Sequence, residues 1–315
     1  MKHTLKVTII LVVVFFLSQI IGLAITNEYI DHQTTTATGD VTWTALPYNF
    51  TRPEIEGGSA FTTMIAAILI GTLLVLVLIK LKKVNWWRIW FLFAVVVTLS
   101  FAFSAFINQW IALILAVFLG IYKIFRPNII VQNLTELFIY GGLAAIFVPI
   151  LNLFWVFMLL IAISIYDMIA VWQSKHMIKL AKFQTKSKVF AGLLLPYKLG
   201  RRGKKETLKK SEKIKDVKLK KAYKVKKVGI KTAILGGGDV GFPLIFAGVV
   251  MKDLMLMNPE LIGFLKALII PVFVSIALFG LFVKSKKDRF YPAMPFISIG
   301  CLIGFIALKL IEFLI

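Results

Sequence analysis

Leu235-Gly236-Gly237-Gly238-Asp239-Val240-Gly241-Phe242-Pro243 places an acidic side chain directly behind three glycines, inside an apolar run that extends over residues 232–251. A run of about 20 such residues crosses a hydrocarbon core about 30 Å thick. An ionised aspartate at the centre of a spanning helix costs roughly 2.5–3.5 kcal/mol, so a carboxylate there marks a functional site and calls for a partner.

Composition sets the class. Hydrophobic residues make up 59% of the chain and mean hydropathy is +0.87. Soluble domains reach only about 45–50% apolar, so this is a polytopic membrane protein. The net charge of +22 would suit a nucleic-acid binder, but most of it lies in one insert: from Lys175 to Lys231, 21 Lys and Arg face only Glu206, Glu212 and Asp216. No aromatic or motif signature of nucleic-acid binding accompanies those bases, and nucleic acid is not an expected partner. They would instead attract anionic lipid head groups at the inner membrane surface. The lone Cys301 excludes an intramolecular disulfide. His3, His32 and His176 have no metal-ligand spacing, so neither a metal nor another cofactor is expected.

Apolar runs of spanning length occur at about residues 5–26, 60–79, 86–107, 109–125, 129–148, 151–172, 232–251, 261–283 and 291–313. The first exceeds the roughly 7–15-residue core of a signal peptide and lacks a good cleavage site, so it reads as a retained span. Lys80, Lys82, Lys83 and Arg88, then Lys123 and Arg126, then the insert, then Lys284, Lys286, Lys287 and Arg289 make every alternate connection basic. The expectation is therefore an all-α chain of nine transmembrane helices, with the N-terminus cytoplasmic and the C-terminus outside. Residues 1–315 form one membrane-embedded domain, interrupted by a basic cytoplasmic loop at 173–230. The acidic stretch 27–59 lies outside and carries the acceptor sequon Asn49-Phe50-Thr51.

One other acid falls deep in a span, Asp167 in Ser164-Ile165-Tyr166-Asp167-Met168. It precedes Lys175 by as many residues as Asp239 follows Lys231. If both segments are helical, each acid lies about 12 Å inside the cytoplasmic boundary. Consecutive antiparallel spans are usually neighbours, and two carboxylates at one depth in a low-dielectric site should share a proton. That arrangement suits hydrolysis by water, with one Asp as general base and the other as general acid. Gly236, Gly237 and Gly238 remove side chains where an extended substrate backbone would approach; close helix packing is the plainer reading of the same glycines. Tyr291-Pro292-Ala293-Met294-Pro295 cannot form a fully bonded first helical turn, which predicts irregular backbone near the site. Gln132 and Glu136, four apart, share a face of the fifth span and either turn toward the acid pair or merely begin a polar helix. Lys309 and Glu312 are expected to pair or snorkel at the outer end of the last span.

Taken together, Tyr166-Asp167, Gly236-Gly237-Gly238-Asp239 and Pro292-Ala293-Met294 resemble the marks of the presenilin and signal peptide peptidase family of intramembrane aspartyl proteases. The nine runs and the long sixth-to-seventh connection resemble that family too. The resemblance implies an aspartic endopeptidase of the cell membrane that cleaves transmembrane or signal-peptide-like helices. It implies that Asp167 and Asp239 are the catalytic pair, and that Tyr166, Gly236 to Gly238 and Pro292 to Met294 shape the site. Met294 replaces the family's leucine, a change that nearly conserves volume. Presenilins are clipped in the corresponding loop, a property that does not carry over to this shorter insert. Two alternatives stand beside this reading. A prepilin-type peptidase shares Gly-x-Gly-Asp but usually follows it with lysine, where this chain has Val240. A proton-coupled transporter or channel would also place carboxylates beside broken helices.

Overall fold

The computed structural model of the chain describes residues 5–81, 83–174, 180, 183–184, 187, 189–198, 230–285 and 291–314. Most of the basic loop lies outside the described residues, as do Lys82, Lys286, Lys287 and Arg289, which entered the topology reading.

Seven helices among the described residues are long and apolar enough to cross a membrane. They include α1 (Leu5–Glu28), α3 (Gly58–Lys80), α4 (Val84–Ser104) and α6 (Ile129–Phe147). The fifth is Leu153–Gln173, made of α7 (Leu153–Met168) and a π-helical end at Ile169–Gln173. The sixth is Glu260–Lys284, made of α9 (Glu260–Ala267) and α10 (Ile269–Lys284); the seventh is α11 (Met294–Leu314). The short helix α2 (His32–Thr38) is in the first connection. The apolar helix α5 (Gln109–Phe125) is shorter, and α8 (Gly237–Met255) carries Asp239, Lys252 and Asp253.

Two expectations need correction. Residues 232–236 do not begin a helix: β2 (Ile230–Gly236) pairs antiparallel with β1 (Gly192–Lys198), with Gly192 opposite Gly236 and Lys198 opposite Ile230. The chain is therefore not purely helical. The run Ile234-Leu235 abutting three glycines has no period that tells strand from helix, and tertiary pairing decides it. The depth count for Asp239 loses its helical premise as well, because extended residues rise about 3.3 Å each instead of 1.5 Å. In the eighth run, the helix breaks at Leu268. Pro271 explains the break, since it cannot donate to the carbonyl of Ala267.

α8 is the core of the bundle. Every residue from Pro243 to Met251 is buried, as expected for a helix that is apolar all round. α1, α6, α7, α10 and α11 pack against it. Phe246 of α8 meets Phe157 of α7 at 4.8 Å and Phe305 of α11 at 6.3 Å, and Phe157 and Phe305 are 5.4 Å apart. Such aromatic pairs contribute about 0.5–1.5 kcal/mol each beyond area burial. They fix the three helices that carry Asp239, Asp167 and the proline-rich segment.

Small residues bring the other helices together. A Cβ on Gly142 of α6 would collide with the carbonyl oxygen of Thr98 on α4. On α11, Gly300 and Gly304, spaced as a GxxxG pair, lie against the backbones of Val274 and Ile270 on α10. Lys252 caps the C-terminal end of α6 through the carbonyls of Val148 and Leu151. The expected Lys309–Glu312 pair is present at 2.8 Å.

Candidate active site

Asp167 lies in the last turn of α7 and is buried. The backbone N–H of Met294 donates to its Oδ2 at 3.1 Å, and the N–H of Ala293 faces the same carboxylate. These amides are free for that purpose. The carbonyl of Ala293 already accepts the first helical bonds of α11, from Phe296 and Ile297, each at 3.1 Å. The amides at the start of a helix have no partner within it. Pro295, next in line, has none to offer. The irregular backbone expected from Pro292-Ala293-Met294 is thus the N-terminus of α11, and Asp167 caps it. A further link between the two helices is the Ser164–Ser298 hydroxyl pair at 2.8 Å.

Asp239 is the third residue of α8 and half-buried. The N–H of Gly236, the residue capping that helix, faces its carboxylate. The spacing is that of one half of a capping box, with an acid three residues beyond the cap. Pro243 lacks the amide that would have bonded the carbonyl of Asp239. Gln19 of α1 donates to the neighbouring carbonyl of Val240 at 2.9 Å. Asp239 and Asp167 lie within direct electrostatic range of each other, so the two acids predicted to pair are neighbours in the fold.

Tyr166 points to α3, where its hydroxyl lies 3.0 Å from that of Thr72. The three glycines differ in what occupies their missing side-chain volume. A Cβ on Gly236 would lie 3.2 Å from Asp239 Oδ2, one on Gly237 3.0 Å from the hydroxyl of Tyr140, and one on Gly238 3.3 Å from the ring of Phe242. Sequence reasoning passed over Tyr140. The signal was available: Gln132, Glu136 and Tyr140 follow one another at four-residue steps along one face of α6.

Spanning helices, a pair of acids at two helix N-termini and amides aimed at one of them define a multi-pass membrane protein with the parts of an aspartyl hydrolase. Residues 40–313 match the family model described as signal-peptide peptidase, presenilin aspartyl protease, and the chain belongs to that family. It is accordingly a presenilin-type intramembrane aspartyl protease, a peptide-bond hydrolase. Two solved structures of a presenilin family intramembrane aspartate protease share its fold. One, in space group C222, has a TM-score of 0.59 at 19% identity, covering 96% of this chain and 99% of that one. The other, in space group P2, has a TM-score of 0.57 at 18% identity, covering 96% of each chain. No curated protein matches the chain. The family assignment sets aside the prepilin-type peptidase and the transporter.

Proposed function

We propose that Asp167 and Asp239 are the catalytic pair and that the substrates are transmembrane or signal-peptide-like helices. The observation that carries this reading is the approach of the two carboxylates on α7 and α8, with one of them held by the α11 amides. Between them the pair holds one proton. The ionised member takes a proton from a water that attacks the scissile carbonyl. The protonated member donates to the carbonyl oxygen, and proton return to the leaving nitrogen then breaks the C–N bond without a covalent intermediate. Fixing Asp167 by backbone donors supports efficient attack, because preorganised groups need no rearrangement at the transition state. A helical substrate has its peptide groups tied in the helix, so it must unwind locally. Irregular backbone around Pro292, Ala293 and Met294, and the glycines at 236–238, would accommodate the unwound segment.

The same reading gives α5 and α8 membrane-crossing roles, making nine spans with a cytoplasmic N-terminus and an external C-terminus in the cell membrane. The basic loop then faces anionic lipids on the cytoplasmic side. Purified Asp167→Asn and Asp239→Asn proteins, each folded in detergent, are expected to leave a single-span model peptide intact. Cleavage by either variant at the wild-type rate would overturn the assignment.

A further inference from the structure

A fully buried ion pair that the proposed chemistry does not use joins α5 to α6. Lys123, at the end of α5, is 3% exposed and Glu136 is 1% exposed; their charged atoms are 2.5 Å apart. Lys123 also donates to Thr135 Oγ1 at 3.1 Å and lies over the ring of Phe91, so its ammonium is well satisfied. Such a pair is poor value as a source of stability alone, because well-packed apolar residues in its place are often neutral or better. Its geometry indicates a different use.

Glu136 holds two further side chains, one on each of its oxygens. Gln132 donates to Oε1 at 2.9 Å, and the Tyr140 hydroxyl donates to Oε2. One arm reaches Gly237 directly and the other holds the β1 backbone to which Gly237 is bonded. The Gln132 amide also reaches the carbonyls of Phe190 and Gly192, at 2.8 and 3.0 Å. The carbonyl between those two, that of Ala191, accepts the N–H of Gly237 at 3.2 Å. The Tyr140 hydroxyl packs against Gly237, where an added methyl group would lie 3.0 Å from it. Asn133, next to Gln132, fastens the same strand, exchanging bonds of 2.8 and 2.9 Å with Leu194. Gly237 is two residues before Asp239. A backbone clamped there from two directions fixes the first turn of α8, which would otherwise begin with three consecutive glycines.

We propose that Tyr140 and Gln132, held together by the Glu136–Lys123 pair, are positioning residues that clamp Gly237 and thereby set the location of Asp239. The proposal rests on Asp239 being catalytic. Neither side chain touches the reacting atoms, so its loss slows turnover and leaves substrate binding alone.

The test uses full-length protein in detergent, with Tyr140→Phe and Gln132→Ala made singly and together, and Asp239→Asn as reference. Turnover of a single-span peptide is expressed per active site, counted by titration with a tight-binding hydroxyl-containing transition-state analogue. Each single variant is expected to lower kcat about 10- to 100-fold, the scale of a displacement near 1 Å, with KM changed less than about threefold. The double variant loses less than the product of the two, because both arms act on one residue. Tyr140→Phe keeps the ring and its packing; should it not yield folded enzyme, Gln132→Ala carries the comparison. Wild-type kcat per titrated site in both single variants, or a loss confined to the number of titrated sites, overturns the proposal while Asp239→Asn remains inactive. Activity in Asp239→Asn would instead remove the catalytic assignment beneath it.

Discussion

Gly237→Ala and Gly238→Ala are the same change one residue apart, yet the structure predicts opposite outcomes. At Gly237 the new methyl would lie 3.0 Å from the Tyr140 hydroxyl and 3.3 Å from its Cε1, several tenths of an ångström inside the roughly 3.5–4.0 Å optimum. Tyr140 cannot yield freely, since its hydroxyl is bound to Glu136, which is itself held by Lys123 and Gln132. The start of α8 has to move. Overpacking of this kind costs about 1–3 kcal/mol, against about 0.4–1 kcal/mol gained when Ala narrows the unfolded ensemble. Gly237→Ala should therefore lose about 1 kcal/mol of stability. Its kcat should fall about 10- to 100-fold through displaced Asp239, equivalent to about 1.4–2.7 kcal/mol in the barrier. At Gly238, which is exposed, the methyl meets only the Phe242 ring edge one turn along the same helix, at 3.3 Å. That ring can rotate away, so Gly238→Ala keeps kcat and gains a few tenths of a kcal/mol. The assay is peptide cleavage with kcat and KM separated, beside thermal unfolding in detergent. Unchanged kcat in Gly237→Ala with loss confined to Gly238→Ala would refute the packing argument. Because the glycines at 236–238 are proposed to accommodate the unwound substrate, KM in Gly238→Ala should rise while kcat is kept.

Three other outcomes follow from the geometry. Gly142→Ala drives a methyl into the Thr98 backbone and should cost at least about 3 kcal/mol, whereas Gly71→Ala and Gly280→Ala, with nothing within 4 Å, should unfold at or slightly above the wild-type temperature. Lys123→Met alone strands a buried Glu136 carboxylate and should destabilise by about 3–5 kcal/mol; adding Glu136→Gln should restore much of that in thermal unfolding. Outside the membrane, Asp31 caps α2 through bonds from Thr34 N–H at 3.1 Å and Thr34 Oγ1 at 2.7 Å, and these hold its carboxyl below the usual range. A depressed folded value stabilises α2 above the unfolded value near pH 4, and that contribution disappears as pH falls through the lower folded one. The amide-exchange protection factors of residues 34–38, corrected for the intrinsic pH dependence of exchange, should accordingly fall on acidification below about pH 4 and stay level above it.

Asp167 and Asp239 were legible in the sequence because an intramembrane carboxylate is costly enough to stand out, whereas Glu136, which is itself buried, was masked by the polar start of its span. Pro292-Ala293-Met294 announced irregular backbone through its two flanking prolines, but the specific result, an α11 N-terminus capped by Asp167, required the fold. The hairpin escaped because its partner strand, Gly192–Lys198, ends 32 residues before β2 begins at Ile230, and a short apolar run reads equally as the start of a span. Lys123 and Glu136 each looked like the polar end of a separate span. Only the packing of α5 against α6 shows that they meet. Gln132 and Glu136 were correctly placed on one face, while Tyr140 was missed because an aromatic residue in a membrane helix carries no surprise.

The most direct measurement is mass spectrometry of the products formed from a panel of single-span peptides by wild-type protein in lipid vesicles, beside Asp239→Asn and Asp167→Asn. An intramembrane aspartyl protease built on this pair yields new termini inside the hydrophobic segments, and both variants yield none. Cleavage confined to the polar flanks, or identical products from the variants, would contradict it.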